Sequence, residues 1–231
     1  MIPLVLPVSS EGDNPFICRV RNSSCHTTDS ADVDVLGRSE NEWVLTGPNG
    51  MFCIELHGIE CLEGDVLLVD PQAGRAERLF RNGSKHNTLL VTERCDQLCV
   101  MCSQPPKKTH LDRFKYFEEA CLLCEENSLI GISGGEPTLY KQELFNLIEN
   151  TVALRPDVGF HVLSNGHHFT HEDIARLQSP SYRNVIWGIP LYASSAALHD
   201  EIVGKIGAFD RLKQSFARLM RAGARVELRT V

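Results

Sequence analysis

The stretch Asn87-Thr-Leu-Leu-Val-Thr-Glu-Arg-Cys-Asp-Gln-Leu-Cys-Val-Met-Cys102 places a short apolar run directly before three cysteines. The apolar run predicts a strand. Cys95, Cys99 and Cys102 follow it with C-x3-C-x2-C spacing, so one loop can direct three thiolates at one polynuclear centre. The usual four-cysteine spacing closes a [4Fe–4S] cube, whereas three ligands leave one iron open. An open iron can bind a substrate or a cofactor.

Two alternative roles for this triplet stay open. One is a zinc site completed by a distant fourth ligand, and the other is three unrelated core thiols. Zinc motifs usually pair two C-x2-C units, and the sequence has no second pair in a suitable place. The cluster interpretation is therefore preferred.

The remaining cysteines carry less information. The chain has nine cysteines, an odd number, and no export signal is seen, so a disulfide framework is not expected. Cys121 and Cys124 share an apolar helical stripe and are predicted to be buried thiols. The other four lack paired ligand spacing, which leaves a second metal site there as an open alternative: Cys18, Cys25, Cys53 and Cys61.

Beyond residue 87 the pattern alternates between strand-like and helix-like segments. Apolar runs at 87–92, 129–133, 160–163, 185–191 and 225–231 predict strands. Segments with helical periodicity separate them. Such alternation is typical of a parallel sheet that is open or closed into a barrel.

The region before this alternation, residues 1–86, is predicted to be a small β-rich domain. Strand-like runs at 43–45, 51–56 and 65–69 are punctuated by Gly, Pro and Asn turn residues. The polar segment 75–87 is interpreted as the linker. Residues 87–231 form the second predicted domain.

Composition excludes several function classes. The chain has 231 residues and a net charge of −7 without a basic run, which disfavours binding to nucleic acid. No apolar stretch approaches the ~20 residues of a membrane helix. Residues 1–8 are apolar but lack the basic segment of a signal peptide. A cytoplasmic protein that does not engage a membrane is predicted.

Polar and glycine residues follow the second and third strands of the alternating region. They are Gly134-Gly-Glu-Pro137 and Ser164-Asn-Gly166. Each alone could be an ordinary turn. In a parallel barrel, however, the carboxyl ends of all strands meet at one mouth, where barrel active sites lie. The cysteine triplet and both turns are therefore predicted to share one site.

These motifs together resemble those of a known family. A C-x3-C-x2-C triplet followed by Gly134-Gly-Glu-Pro137 resembles the radical S-adenosylmethionine (SAM) superfamily. The wider stretch 87–106 is similar to the His-Xaa-Ser system radical SAM maturase, C-type member. Three further stretches fit the same resemblance: Trp187-Gly-Ile-Pro-Leu-Tyr192, His199-Asp200 and Gly207-Ala-Phe-Asp210.

The resemblance implies a fold, two cofactors and a chemistry. The fold would be a partial (β/α)6-type barrel, with strands 1–5 present and the C-terminal part apparently missing. Cys95, Cys99 and Cys102 would hold a [4Fe–4S] cluster whose open iron chelates SAM. Reductive cleavage of SAM would give a 5′-deoxyadenosyl radical that abstracts hydrogen from the substrate, while the protein orients and shields it.

The resemblance also implies contacts to SAM. The glycine pair would let the backbone approach the methionine part, and Glu136 would accept from the ammonium group. Ser164 and Asn165 would contact the ribose, and Arg229 could face the carboxylate. The predicted SAM-binding residues are Gly134, Gly135, Glu136, Pro137, Ser164 and Asn165.

The implied substrate is a precursor peptide with His-Xaa-Ser repeats, with companion maturation proteins and an electron donor as partners. Two alternatives stay open: radical SAM chemistry on a small molecule in cofactor synthesis, and a non-catalytic zinc or iron–sulfur module. His167, His168 and His171 are interpreted as a solvated helix start. His199 and Asp200 are expected to be structural.

Overall fold

The computed structural model describes residues 4–21, 30–56 and 61–230. The chain folds into two compact units. The first combines Met1–Asn87 with Tyr116–Glu125, and the second combines Thr88–Lys115 with Glu126–Val231.

The first unit is built on a closed seven-stranded barrel with strand order β1-β5-β4-β3-β2-β6-β7. Neighbouring strands are antiparallel except β2 and β3, which are parallel. Closure pairs the strand edges, which an open sheet would leave exposed. The strands are β1 Val5–Ser10, β2 Phe16–Val20, β3 Asp32–Arg38, β4 Glu42–Gly47, β5 Gly50–Glu55, β6 Val66–Asp70 and β7 Arg75–Phe80.

Strand β7 corrects one expectation, because the polar segment 75–87 was interpreted as a linker. Its first part is a strand whose alternate residues Ala76, Arg78 and Phe80 are buried. The period-two alternation of a half-buried strand is present. A buried arginine in one of the inward positions masks that alternation in the hydrophobicity pattern.

Arg78 is buried because it pairs with Asp65. The Arg78 Nε atom donates to Asp65 Oδ2 at 2.7 Å, and both side chains are 3% exposed. The backbone N–H of Asn82 donates to the other carboxylate oxygen at 2.8 Å. Burial raises the pKa of Asp65, and these hydrogen bonds oppose that rise. The ion pair and the hydrogen bonds offset the cost of burying both charges. Removal of either residue would leave the other charge buried and unpaired.

We therefore expect Arg78→Met to lower the free energy of unfolding by about 3–5 kcal/mol, since it leaves a buried carboxyl group unpaired. Urea unfolding at pH 7 measures this. The control is Arg75→Met on the same strand, because the exposed Arg75–Glu77 pair is worth at most about 1 kcal/mol. Equal losses in the two variants would contradict the prediction.

The second unit contains a five-stranded sheet with the order β12-β11-β10-β9-β8. All neighbouring pairs are parallel, so the predicted alternation of strands and helices is confirmed. The strands are β8 Thr88–Thr92, β9 Leu129–Gly134, β10 Gly159–Leu163, β11 Val185–Pro190 and β12 Arg225–Arg229. The helices are α1 Phe114–Leu122, most of which belongs to the first unit, and α2 Lys141–Leu154, α3 Asp173–Leu177, α4 Ala196–Val203 and α5 Ala208–Arg221.

One face of this sheet is fully apolar. Ile132, Val162 and Trp187 are 0% exposed, and the Trp187 ring packs edge-on against Phe145 and Phe169 at centroid distances of 6.2 and 4.9 Å. Burial of such a face stabilises the sheet by roughly 1.5–3 kcal/mol per large side chain. The sheet is thus a rigid support for the loops at its carboxyl ends.

Helix α1 is shorter than the apolar stripe in the sequence predicts, since that stripe has helical spacing from Leu111 through Phe114, Phe117 and Cys121 to Cys124. It begins at Phe114, whose N–H is accepted by Asp112 Oδ1 at 3.1 Å, and it ends before Cys124. Leu111 lies outside the helix and is 69% exposed. A local side-chain acceptor at the start therefore overrides the hydrophobic period. In the described ranges no helix has the length and hydropathy to span a bilayer.

Candidate active site

The loops that follow the carboxyl ends of the parallel strands enclose one cavity of about 360 Å³. All three cysteines of the triplet line it. So do Gly134 and Gly135, which close β9, and Ser164 and Asn165, which follow β10. Residues far apart in the chain thus share one wall because parallel strands end at the same edge.

The cysteine loop is fixed to the end of α4. Leu98 N–H donates to Val203 O and Val100 N–H to Ile202 O, both at 2.9 Å. The Cys102 N–H donates to Cys99 O at 3.0 Å, which closes a tight turn between these two ligand candidates. These three backbone hydrogen bonds set the path of the loop.

Cys95 and Cys99 are partly buried, and the pKa values of both are raised. Burial raises the pKa of Cys95 to about 11, and the nearby Glu136 and Asp96 carboxylates add to this. Burial also raises the pKa of Cys99, while Cys102 is exposed. Across the described ranges, no three His, Cys, Asp or Glu side chains are grouped closely enough to hold a metal ion. The three thiols share a cavity without converging on one point.

The glycine pair is explained by contact with the loop after β8. A Cβ atom on Gly134 would lie 2.0 Å from Thr92 O, and one on Gly135 would lie 2.1 Å from Arg94 O. Gly134 also has a φ of +132°. Two hydrogen bonds of 2.7 Å, Gly135 N–H to Thr92 O and Glu136 N–H to Arg94 O, join the segments. The glycines therefore allow two site loops to touch, a role the sequence did not reveal.

Glu136 is fully buried and its carboxylate is occupied by protein donors. Oε1 accepts from Thr138 N–H at 2.8 Å, from the Thr138 hydroxyl, and from Ser164 Oγ at 2.8 Å. Oε2 accepts from Asn165 N–H at 2.5 Å. Burial raises the pKa of Glu136, and these hydrogen bonds work against that rise. Neither Glu136 nor Pro137 lines the cavity, so their contact with SAM stays a prediction.

Asn165 joins the cysteine loop to the loop after β10. Its Nδ2 donates to Asp96 Oδ1 at 2.7 Å, and its Oδ1 accepts from His167 N–H at 3.0 Å. Asp96 also accepts from Lys205 Nζ and lies 3.3 Å from His168 Nε2. Burial alone would raise the pKa of Asp96, but His168, Lys205 and Asn165 hold it well below its usual range.

Sequence reasoning missed Asp96 and Lys205. Asp96 lies between the candidate ligands Cys95 and Cys99, and this position is the only feature of the sequence that indicates a role at the site. Lys205 lies at the end of α4, more than 100 residues along the chain, in no motif. Only the tertiary fold brings the two together.

His167 and His168 are not part of a solvated helix start, which corrects that interpretation for these two residues. Helix α3 begins at Asp173, so His167 and His168 belong to the loop before it. Gln97 Nε2 lies 2.9 Å from His167 Nε2, which ties the histidine to the cysteine loop. Burial lowers the pKa of His167 to about 4, so the imidazole is neutral at pH 7. His171 is exposed.

The structure also places three other residues that the sequence analysis named: Arg229, His199 and Asp200. Arg229 lines the cavity and makes an exposed pair with Glu227 at 3.4 Å. Asp200 accepts from Gly207 N–H at 2.5 Å and from Phe209 N–H at 2.8 Å, so it orders the start of α5. His199 is 1% exposed. A structural role for His199 and Asp200 fits these contacts.

Among the described residues, no cysteine outside the triplet lines the cavity. Cys121 and Cys124 are buried, as predicted. Cys18 is buried, and its burial raises its pKa. Cys25 lies outside the described residues.

Comparisons with known proteins identify the family of this chain. The family model of the radical SAM superfamily matches residues 89–231. No curated protein matches the chain. Among solved structures, native anSMEcpe with bound AdoMet aligns with 14% identity and a TM-score of 0.51, covering 61% of this chain and 42% of that one. The same protein with bound AdoMet and the Cp18Cys peptide aligns with 11% identity and a TM-score of 0.50, covering 61% and 41%.

Streptococcus suis SuiB bound to S-adenosylmethionine aligns over 61% of this chain and 31% of its own, with 18% identity and a TM-score of 0.46. The chain thus spans less than half the length of each of these structures. At such identities the anSMEcpe alignments support the fold alone. The family match itself covers more than half of the sequence. The chain therefore belongs to the radical SAM superfamily, whose members use a [4Fe–4S] cluster and SAM.

Proposed function

We propose that this protein cleaves SAM reductively and modifies a peptide by hydrogen abstraction. The observation that carries the proposal is the shared cavity: the cysteine triplet, the glycine pair and the Ser164–Asn165 turn all line it. When bound, the cluster and SAM together supply a strong hydrogen-abstracting agent. The protein has to bind them side by side and exclude other reactants.

The cysteines fit a [4Fe–4S] cluster by their chemistry and placement. In a cube each cysteine ligates a different iron, so the ligand sulfurs surround the cube rather than one point. Cys95, Cys99 and Cys102 line the same cavity without converging on one point. The raised pKa values of Cys95 and Cys99 reflect an environment that disfavours bare thiolates, and bound iron would offset this by its positive charge.

Other residues that line the cavity fit SAM. Gly134 and Gly135 expose backbone at the β9 end, and Ser164 adds a hydroxyl. The Arg229 guanidinium at the β12 end could meet a carboxylate by charge-assisted hydrogen bonds. A volume of about 360 Å³ lies within the range of small-molecule sites.

A peptide substrate is supported more loosely. The anSMEcpe structures include complexes with Cp18Cys and Kp18Cys peptides, and the stretch 87–106 resembles the His-Xaa-Ser maturase. The repeat precursor, the companion proteins, the electron donor and the cytoplasmic location stay predictions. Radical SAM chemistry on a small molecule is the second candidate, since fold likeness alone does not fix a substrate.

The test is anaerobic reconstitution of the full chain with iron and sulfide, followed by a strong reductant and SAM. We expect 5′-deoxyadenosine and methionine by liquid chromatography and mass spectrometry. A peptide with His-Xaa-Ser repeats should then change in mass, and a scrambled peptide without the repeats should not. Iron-loaded protein that leaves SAM intact would contradict the radical SAM assignment. SAM cleavage without a peptide change, with all partners present, would favour a small molecule.

A further inference from the structure

The Glu136 carboxylate lies at the centre of a hydrogen-bond set that joins two loops. It comes from the loop after β9, and two of its donors, Ser164 Oγ and Asn165 N–H, come from the loop after β10. The side chain is 0% exposed. A fully buried carboxylate is tolerated only when hydrogen bonds replace its hydration.

Each carboxylate oxygen serves a different backbone donor. Oε1 accepts from Thr138 N–H and Oε2 from Asn165 N–H. Hydroxyl groups can rotate to donate or accept, but a backbone N–H can only donate. Both oxygens are therefore needed, and an amide in place of the carboxylate could serve only one of these two donors.

The residues that Glu136 holds, unlike Glu136 itself, line the cavity. Ser164 and Asn165 contribute to the wall, and the Ser164 hydroxyl is held on both sides, since it donates to Glu136 and accepts from Gly166 N–H at 3.0 Å. Glu136, which does not line the cavity, thus fixes the position of this turn through these hydrogen bonds.

We propose that Glu136 is a positioning residue that acts on SAM through the Ser164–Asn165 turn, and not by direct contact with the ammonium group. The inference rests on the proposed SAM site and assigns a different task to one of its predicted residues. In the proposed site the turn contacts the ribose, and Glu136 holds the turn in place. Loss of the carboxylate should therefore weaken recognition of the ribose hydroxyls and leave recognition of the amino group unchanged.

The first arm of the test needs no cofactor. In the apo-protein, amide hydrogen exchange at Asn165 should be about tenfold or more faster in Glu136→Gln than in wild type. Three donors meet at Oε1 and only Asn165 N–H at Oε2, so the single amide oxygen stays at the Oε1 position and Asn165 loses its acceptor. The matched control is Glu149→Gln, whose carboxylate binds Arg176 and Tyr182 away from the cavity. Unchanged exchange at Asn165 would overturn the proposal.

The second arm measures dissociation constants by calorimetry on the cluster-loaded chain without reductant. Three ligands are compared: SAM, a SAM analogue lacking the amino group, and a 2′,3′-dideoxyribose analogue. Glu136→Gln should weaken SAM and the deaminated analogue by the same factor, about tenfold, and should barely affect the dideoxy analogue. A loss that disappears with the deaminated analogue would show direct contact with the ammonium group and overturn the proposal.

A second, milder variant tests the same proposal in case Glu136→Gln does not fold. Thr138→Val removes one hydroxyl donor to Glu136 from a buried residue outside the cavity wall. It should weaken SAM about threefold with the same ligand pattern. If wild type binds no SAM, the proposed function fails, whereas the exchange arm still tests the role of Glu136.

Discussion

Cys99→Ala is expected to abolish cluster retention and SAM cleavage together. Cys99 is one of three thiols that line the cavity, and a cluster with only two remaining thiolates loses both a ligand and its charge balance. Changes in groups that merely support metal ligands cost about 10–100-fold in affinity or activity, so loss of a ligand should exceed that range. The measurement is iron content after anaerobic desalting, with 5′-deoxyadenosine formation in parallel.

Cys121→Ala is the matched control because Cys121 is a buried cysteine outside the cavity. It should keep its iron and its SAM cleavage and lose only some stability to heat. If Cys99→Ala retains cleavage, a different thiol is the ligand. If both variants lose iron equally, general destabilisation accounts for the result, and the assignment of Cys99 fails.

Gly135→Ala is expected to disrupt the site by steric contact alone. The added Cβ would lie 2.1 Å from Arg94 O, far inside contact distance, and its three nearest neighbours are all backbone atoms of Glu93 and Arg94. Overpacking of this kind costs about 1–3 kcal/mol of folding free energy. Because the displaced segment follows β8 directly and leads into the cysteine loop, SAM cleavage should fall at least about tenfold through misplacement of the site.

The comparison variant is Gly37→Ala, in a strand of the first unit where an added Cβ meets nothing within 4 Å. Thermal unfolding and SAM cleavage are measured for both variants. Gly37→Ala should match wild type in both. A Gly135→Ala protein with wild-type stability and activity would show that the β9 end tolerates a side chain, contrary to the geometry.

Much of the second unit could be predicted from sequence because its signals are local. Apolar runs such as 129–132 end in glycines, and helical periodicity fills the gaps, so the strand order follows from short parallel crossovers. The meeting of the cysteine triplet with the Gly134 and Ser164 turns followed from the same rule. These residues do line one cavity.

The rest depends on contacts that no local pattern carries. For residues 1–86 the sequence predicts a β-rich region but not the closed barrel. Strand β7, for example, places Arg78 inward, where it is matched by Asp65 on a separate segment. Likewise, the Gly-Gly-Glu motif gave no sign that the Glu136 carboxylate faces Ser164 and Asn165. Buried charges are recognisable only with their partners, and those partners lie far away in sequence.

The central claim is that the thiols of the C-x3-C-x2-C loop hold an iron–sulfur cluster with one iron open to SAM. Electron paramagnetic resonance of the anaerobically reconstituted, reduced chain tests it, combined with iron and sulfide analysis. The account predicts about four iron and four sulfide per chain and a cluster signal that shifts when SAM is added. Stoichiometric zinc without iron uptake, or a cluster signal that SAM leaves unchanged, would contradict it.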